Sequence, residues 1–209
     1  MTAVESISTH QCSGSGQQSE IDPGRRRLLQ VGAAATIALL PIGTRADSND
    51  PSRMMRPQVG DLLVRLDDDQ KATIIAAADV QIGDAPILAW AMDPATKLPR
   101  DGSRLNQILL LRLDPATLGA ETKAHAADGL VAYSAICTHQ QCPVVGWNED
   151  KQVLNCPCHQ SEYDPRQNAK VVAGPAPRSL AALPLKLTDG EPQVAETFIG
   201  RVGMDKQAM

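Results

Sequence analysis

The chain has 209 residues, of which 43% are hydrophobic and only 2% aromatic, and its formal net charge is −4 at pH 7. A mean hydropathy of −0.20 excludes a protein with many membrane spans. Nucleic acid is not expected as a partner, because the sequence has one short arginine run as its basic cluster and few aromatic rings for base stacking. The core is therefore expected to consist mainly of leucine, isoleucine, valine and alanine.

Residues 1–46 have the pattern of an export signal. The run Arg25–Arg27 precedes an uncharged stretch rich in alanine and leucine over residues 28–44, which is typical of a signal peptide or of a single membrane anchor. Two leucines follow the arginines, so the segment resembles a twin-arginine signal, although Gly24 stands where that motif usually has serine or threonine. We expect export to the periplasmic side of a bacterial inner membrane. Cleavage near Ala46 and retention as an anchor both remain open.

The rest of the chain predicts a linker followed by one all-β domain. Residues 47–58 contain two prolines and several small polar residues, as linkers do, and the domain is expected over residues 59–205. A short helix is predicted around residues 71–78. Short apolar runs between turn residues predict antiparallel strands at residues 61–66, 87–92, 105–113, 129–136, 169–172, 183–187 and 193–198.

Two cysteine–histidine motifs are the candidate functional site. The first runs from Cys137 to Cys142 with His139 between them, and the second contains Cys156, Cys158 and His159. Each motif can present one thiolate and one imidazole from a single tight loop. Each also contains one further cysteine, Cys142 or Cys158, and these two could form a disulfide.

Several metal sites are compatible with two cysteines and two histidines. Zinc accepts the same ligands, so a zinc-binding structural module is one alternative, and a scaffold held by disulfides alone is another. Zinc motifs, however, usually pair cysteine with cysteine and histidine with histidine. An extra cysteine pair and an export signal both suit an oxidising compartment. A [2Fe–2S] cluster with two cysteines on one iron and two histidines on the other fits this pattern better.

The two motifs resemble those of Rieske iron–sulfur proteins of the high-potential type that contains a disulfide. That family has the pattern Cys-Thr-His-x-x-Cys followed by Cys-Pro-Cys-His-x-Ser-x-Tyr, and this chain matches both. The resemblance implies a base of three antiparallel sheets with a small cluster-binding subdomain, here about residues 133–178. It implies one [2Fe–2S] cluster per chain, bound by Cys137, His139, Cys156 and His159, with a disulfide between Cys142 and Cys158.

Three further features follow from the same resemblance. Ser161 and Tyr163 match the family's hydrogen-bond donors to a bridging sulfide and to a ligand cysteine sulfur. Residues 174–177 resemble the proline loop that covers the cluster. Because donors aimed at sulfur stabilise the reduced state, we expect a potential in the upper part of the range for Rieske centres, which is roughly −150 to +300 mV.

The partner is the least determined part of the sequence interpretation. Quinol-oxidising members usually have Leu-Gly where this chain has Gln140-Gln141. Residues 132–136 and 143–144 look more like the small subunit of arsenite oxidase. We therefore expect a redox subunit, not an independent enzyme, that exchanges electrons with a c-type cytochrome or an oxidoreductase large subunit. A quinol-oxidising subunit of a cytochrome bc complex is the alternative. A ferredoxin or oxygenase component fits less well, since such proteins lack the extra cysteine pair.

Overall fold

The computed structural model describes residues 50–204, and regular structure within them is almost entirely β. The predicted all-β class with antiparallel sheets is confirmed. In chain order, the strands are β1 Leu62–Leu66, β2 Ala72–Ile74, β3 Ile87–Met92, β4 Ile108–Arg112, β5 Leu130–Ser134, β6 Gly146–Asn148, β7 Val153–Cys156, β8 Ser161–Asp164, β9 Lys170–Ala173, β10 Leu185–Thr188 and β11 Glu191–Val194.

Helical structure in the described domain is limited to short segments. One α-helix, α1, covers Ala120–His125 between β4 and β5. Single 3-10 turns occupy Pro51–Met54, Ala77–Asp79, Arg104–Asn106 and Pro165–Gln167.

The strands form two antiparallel networks. The larger has the order β10-β11-β1-β3-β4-β5, with β2 paired to β1, and the smaller contains β6, β7, β8 and β9 in chain order. β3 joins two parts of the larger network, because its first three residues pair with β4 and its last three with β1. Of the three sheets that the resemblance implies, two therefore share β3, and the third carries one of the two cysteine–histidine loops.

The sheet formed by β4 and β5 is buried on both faces. Side chains alternate between the two faces of a strand. Leu109 and Leu111 of β4 accordingly lie in the core cluster beneath the cysteine–histidine loops, whereas Ile108 and Leu110 lie in a second cluster that packs against β1 and β10. Burial on both faces explains why β4 is a continuous apolar run and does not alternate with polar residues.

The region of the predicted short helix at residues 71–78 is a hairpin, so that prediction is wrong. The chain turns after β1, where the carboxylate of Asp67 accepts a hydrogen bond of 2.7 Å from the backbone N–H of Lys71. Gln70 has a φ of 61° in this turn. The next residues pair with β1 as β2, and a single 3-10 turn follows. Pairing with an existing strand thus overrides a short helical pattern.

The last predicted strand lies earlier in the chain than expected. Asp189 and Gly190 have φ values of 53° and 83°. Two positive φ values are typical of the two-residue turns that join antiparallel strands. This turn starts β11 at Glu191, and the strand ends at Val194, so the predicted strand at residues 193–198 is only partly correct.

The described part of the predicted linker, residues 50–58, is hydrogen-bonded to the domain. Arg53 forms an ion pair of 2.5 Å with Asp101, and the side-chain amide of Asn106 donates to the carbonyl of Met55 at 2.6 Å. The boundaries at residues 46, 58 and 205 stay predictions.

The predicted export signal, residues 1–46 with its apolar stretch 28–44, lies outside the described residues. Across residues 50–204, no helix has the length and apolar character needed to cross a membrane.

Candidate metal centre

Two loops of the same construction carry the candidate ligands. The first follows β5 and runs from Cys137 to Cys142; the second joins β7 to β8 and begins at Cys156. In each loop the backbone N–H of a glutamine, Gln141 or Gln160, donates to the carbonyl of the cysteine four residues earlier, at 3.0 Å. Both glutamines have a φ of 57°. A left-handed residue at the same place closes each loop into one tight turn.

A disulfide joins the two loops, as the resemblance implies. Cys142 and Cys158 are bonded, with an S–S distance of 2.14 Å and a Cα–Cα distance of 6.5 Å. Sγ of Cys156 lies close by, since the sulfur atoms of Cys142, Cys156 and Cys158 all lie within 4.8 Å of one another. Two of these three sulfurs are oxidised, and Cys156 is therefore the one that remains available as a thiolate ligand.

The other two cysteines of the described domain are free and buried. Cys137 and Cys156 are each 1% exposed. Burial raises the pKa of the Cys156 thiol, and the neighbouring thiol of Cys137 raises it further. Two adjacent buried thiols with no cation near them are unfavourable as thiolates. A bound metal supplies the positive charge that such thiolates need.

The two histidines of the motifs meet each other. The imidazole rings of His139 and His159 are 4.7 Å apart between centroids and nearly perpendicular, at 88°. His159 is exposed and His139 is half-buried. Nδ1 of His139 is buried and has no hydrogen-bond partner within residues 50–204. A buried polar atom without a partner is costly, unless the nitrogen binds a ligand such as a metal.

The hydroxyl group of Tyr163 reaches the first loop from β8. Its oxygen lies 3.1 Å from Sγ of Cys137 and 3.3 Å from the backbone nitrogen of Thr138, which donates to it. Burial is the main cause that raises the pKa of Tyr163, and the contact with Cys137 adds to it. The hydroxyl therefore keeps its proton at neutral pH and can donate it to the cysteine sulfur.

Ser161 connects the second loop to the proline-containing loop at residues 174–177. Its Oγ is buried and accepts a hydrogen bond of 3.2 Å from the backbone N–H of Ala176. The hydroxyl hydrogen is not used in this bond. Gly174 has a φ of 84°, and a Cβ atom there would lie 2.5 Å from Cα of Ser161. Only glycine lets the two loops approach this closely.

Sequence reasoning missed two arginines that contact the first loop. Arg104 donates to the carbonyl of Gln141 at 2.7 Å, and the backbone carbonyl of Arg178 accepts a hydrogen bond of 2.7 Å from Oγ1 of Thr138. Arg104 lies far from the motifs in sequence, so no local pattern indicates its contact. Arg178 directly follows the proline loop, which was the one available signal.

The residues therefore suit a cluster with mixed ligation. Two buried free thiols and two adjoining imidazoles lie on loops that a disulfide joins, and the hydroxyl of Tyr163 lies beside the thiol of Cys137. This arrangement, in an all-β domain, is the one expected of an iron–sulfur protein with cysteine and histidine ligands.

Comparison with known proteins gives the family. Residues 107–184 match the family model of the Rieske [2Fe-2S] domain. The cytochrome bc1 complex Rieske iron–sulfur subunit of Streptomyces lividans is 32% identical over 136 residues, which cover 62% of this chain and 76% of that protein. This chain belongs to the Rieske iron–sulfur protein family, and its domain binds a [2Fe–2S] cluster. The zinc alternative is thereby set aside.

Two other relatives are longer than the part they share with this chain. The cytochrome bc1 complex Rieske subunit of Streptomyces coelicolor is 29% identical over 79% of this chain and 49% of its own length. The putative respiratory nitrate reductase subunit Rieske of Haloferax mediterranei is 37% identical over 50% of this chain and 48% of its own length. The chain thus spans about half the length of these two relatives.

Proposed function

We propose that the protein is a one-electron carrier whose cluster is held by Cys137 and Cys156 on one iron and by His139 and His159 on the other. The observation that carries this assignment is that the four cysteines of the domain fall into two pairs with different states. Two are buried free thiols, and the other two are already joined in a disulfide. The unpartnered Nδ1 of His139 adds an independent indication of a ligand position.

The chain's own residues would set how readily an electron is taken up. The bound cluster supplies one-electron oxidation and reduction. Tyr163 places a hydrogen-bond donor beside the sulfur of Cys137, and the unused hydroxyl hydrogen of Ser161 would be a second donor toward the cluster. Such donors favour the state with more negative charge. His159 is exposed, so its imidazole offers a short path to a partner at the surface.

An absorption and electron paramagnetic resonance spectrum of the purified full-length protein tests the assignment. We expect a coloured protein with two irons per chain and a reduced-state signal of the mixed-ligand type. His139→Cys and His159→Cys should each retain iron but change that signal. His125→Cys is the matched control, because His125 lies in α1 outside the motifs, and it should leave the signal unchanged. A colourless protein containing stoichiometric zinc would contradict the proposal.

For the partner, we propose a periplasmic redox system in which the protein is a subunit or a soluble partner. A c-type cytochrome or an oxidoreductase large subunit, as in arsenite-oxidase-like enzymes, would exchange the electron. Gln140 supports this choice, because it is exposed within the first loop, at the position where quinol-oxidising members usually have leucine. The Haloferax mediterranei relative, named as a nitrate reductase subunit, shows that Rieske proteins outside cytochrome bc complexes are similar to this chain.

The second candidate is a quinol-oxidising subunit of a cytochrome bc complex. The two Streptomyces relatives carry that name, which favours it. Reduction by a soluble quinol separates the two candidates. It is measured for the purified protein and for the protein in membranes that contain it. If the first is correct, wild-type protein is reduced slowly in both preparations, and reduced protein instead passes electrons rapidly to a c-type cytochrome. Rapid, inhibitor-sensitive reduction by quinol in membranes would favour the second.

The twin-arginine route is part of the same proposal. Arg25→Lys together with Arg26→Lys should leave the protein in the cytoplasm, because the arginine pair is the feature that the route recognises. Cell fractionation measures the outcome. Arg45→Lys is the matched control and should be exported normally; normal export of the double variant would contradict the route.

A further inference from the structure

We propose that Arg178 is a positioning residue, which fixes the first ligand loop by fastening the C-terminal segment, residues 199–204, against it. This inference rests on the proposed function, since it concerns the loop that carries Cys137 and His139. The C-terminal segment is distant in sequence from both motifs, and in this inference it becomes part of the structure that holds the cluster ligands.

The backbone of Arg178 contacts the residue between the two proposed ligands. Thr138 is 1% exposed, and its hydroxyl donates to the carbonyl of Arg178 at 2.7 Å. The N–H of Thr138 donates to the hydroxyl of Tyr163 on its other side. The backbone N–H and the hydroxyl of Thr138 are thus both used to hold the loop, one by β8 and one by Arg178.

The side chain of Arg178 extends this contact to the C-terminal segment. Its guanidinium donates to the carbonyl of Arg201 at 2.6 Å and to the carbonyl of Gly203. A planar guanidinium with several donors is suited to holding two carbonyls at once, which a lysine cannot do in the same geometry. One residue therefore contacts the first loop through its backbone and the C-terminal segment through its side chain.

The fastened segment lies directly on the first loop. Gly203 is buried and has a φ of 73°, and a Cβ atom there would lie 3.1 Å from Cγ of Gln141 and 3.4 Å from Cγ2 of Ile136. Gln141 is the left-handed residue that closes the loop, and Arg104 holds its carbonyl from another side. The first loop is therefore held from several sides, although Gln140 within it is exposed.

The second loop is held by other contacts: it closes the β7–β8 hairpin, in which Cys156 pairs with Ser161, and a Cβ atom at Gly174 would lie 2.7 Å from the carbonyl oxygen of Gln160. Residues 157–160 of this loop are exposed, and the side chain of Gln160 bonds within the loop or to the adjoining strand. The disulfide is its covalent connection to the first loop. Arg178 therefore acts on the site through the first loop, which carries Cys137 and His139.

Hydrogen exchange of the full-length protein, followed by mass spectrometry, tests the inference. In Arg178→Gln, we expect exchange in the peptide that spans residues 137–142 to rise about tenfold, because local opening of that loop becomes easier. Exchange at residues 199–204 should rise as well, and exchange in β1 and β3 should stay as in the wild type. Arg178→Lys should restore protection in part.

Arg112→Gln is the matched control. Arg112 is also a half-buried arginine that donates to backbone carbonyls, those of Ala77, Val80 and Asp128, at the end of β4 remote from the loops. It should leave exchange in the first loop unchanged. Gly203→Ala disturbs the contact between the C-terminal segment and the first loop without changing Arg178. It should also raise exchange at residues 137–142.

A second measurement separates positioning from simple loss of stability. In Arg178→Gln and Gly203→Ala, the reduced-state resonance signal should shift, whereas Arg112→Gln should leave it unchanged. Unaltered first-loop exchange in both variants, or an equal rise throughout the domain, would overturn the inference. Absence of any cluster from wild-type protein would contradict the proposed function, while the exchange result would still report on the contact of Arg178 with the loop.

Discussion

The hydroxyl group of Tyr163 is the point at which one side chain affects the candidate ligands most directly. It accepts from the N–H of Thr138 and lies at hydrogen-bond distance from Sγ of Cys137. Because burial raises its pKa, the group is a neutral donor at physiological pH. The sulfur that receives this bond carries more negative charge when the cluster is reduced, so the bond favours reduction.

Tyr163→Phe is therefore expected to lower the midpoint potential and to leave the cluster in place. If the hydrogen bond is worth about 1 kcal/mol more in the reduced state, the potential falls by roughly 40 mV, since 59 mV corresponds to a tenfold change for one electron. Redox titration followed by visible absorbance measures the shift. Tyr133→Phe is the control, because its hydroxyl bonds to the carbonyl of Pro165, away from the sulfur atoms. An unchanged potential in Tyr163→Phe would show that the bond has no such role.

At the scale of loops and strands, the disulfide is the connection between the two ligand loops. It closes a separation of 16 residues along the chain. A cross-link of this span limits the unfolded ensemble, and the loss of freedom corresponds to about 3 kcal/mol of stability. The same bond joins the exposed second loop to the first loop, whose residues are on average more buried.

Replacing both disulfide cysteines, Cys142→Ala with Cys158→Ala, should lower the free energy of unfolding by about 3 kcal/mol. Urea unfolding followed by circular dichroism measures the loss, and reduced wild-type protein should show a similar one. The paired replacement is essential, because a single one leaves a free thiol beside Cys156. An unchanged unfolding midpoint would mean that the loops hold each other without the bond.

The elements that the sequence predicted best are those set by local pattern. β1 and β3 fall where continuous apolar runs placed them, and the disulfide was implied by the two motifs. β6, β7 and β8 were not predicted, because they are short and their polar and motif residues hide the strand pattern. The position of Arg178 beside Thr138 depends on how distant segments pack. Such contacts have no local signal.

For the whole molecule, a buried ion pair ties the start of the domain to its base. Asp61 and Arg100 are 2% and 5% exposed, and two hydrogen bonds of 2.5 and 2.9 Å join them. Asp61 also accepts from the N–H of Gln58, and Arg100 donates to the carbonyl of Ser52. The pair thus connects residues 50–58 with the chain after β3.

Asp61→Ala should destabilise the protein by about 3–5 kcal/mol, because it leaves the guanidinium of Arg100 buried without its partner. The double replacement Asp61→Leu with Arg100→Met should recover much of that loss, since no buried charge then remains. Urea unfolding of the single variants Asp61→Leu and Arg100→Met and of the double variant measures the coupling. A loss in the double variant equal to the sum of the two single losses would show that the pair is not coupled.

The two tyrosines of the chain make the free energy of unfolding depend on pH. Tyr133 and Tyr163 both lie in the core cluster beneath the ligand loops. Burial is the main cause that raises the pKa of each above the ordinary value of about 10. Above that pH, an unfolded tyrosine releases its proton while a folded one retains it. The unfolded state then binds fewer protons, and the free energy of unfolding must fall as pH rises.

We therefore expect the absorbance of tyrosinate to appear together with the loss of tertiary structure, in one cooperative step at alkaline pH. Each tyrosine should contribute a slope approaching 1.4 kcal/mol per pH unit above about pH 10. Alkaline titration with parallel circular dichroism measures both signals. Tyr133→Phe should halve the tyrosine contribution to the slope of the unfolding free energy against pH. The absorbance of tyrosinate should still appear together with the loss of tertiary structure. Tyrosinate that forms at the ordinary pKa while the fold is intact would contradict the burial of these two side chains.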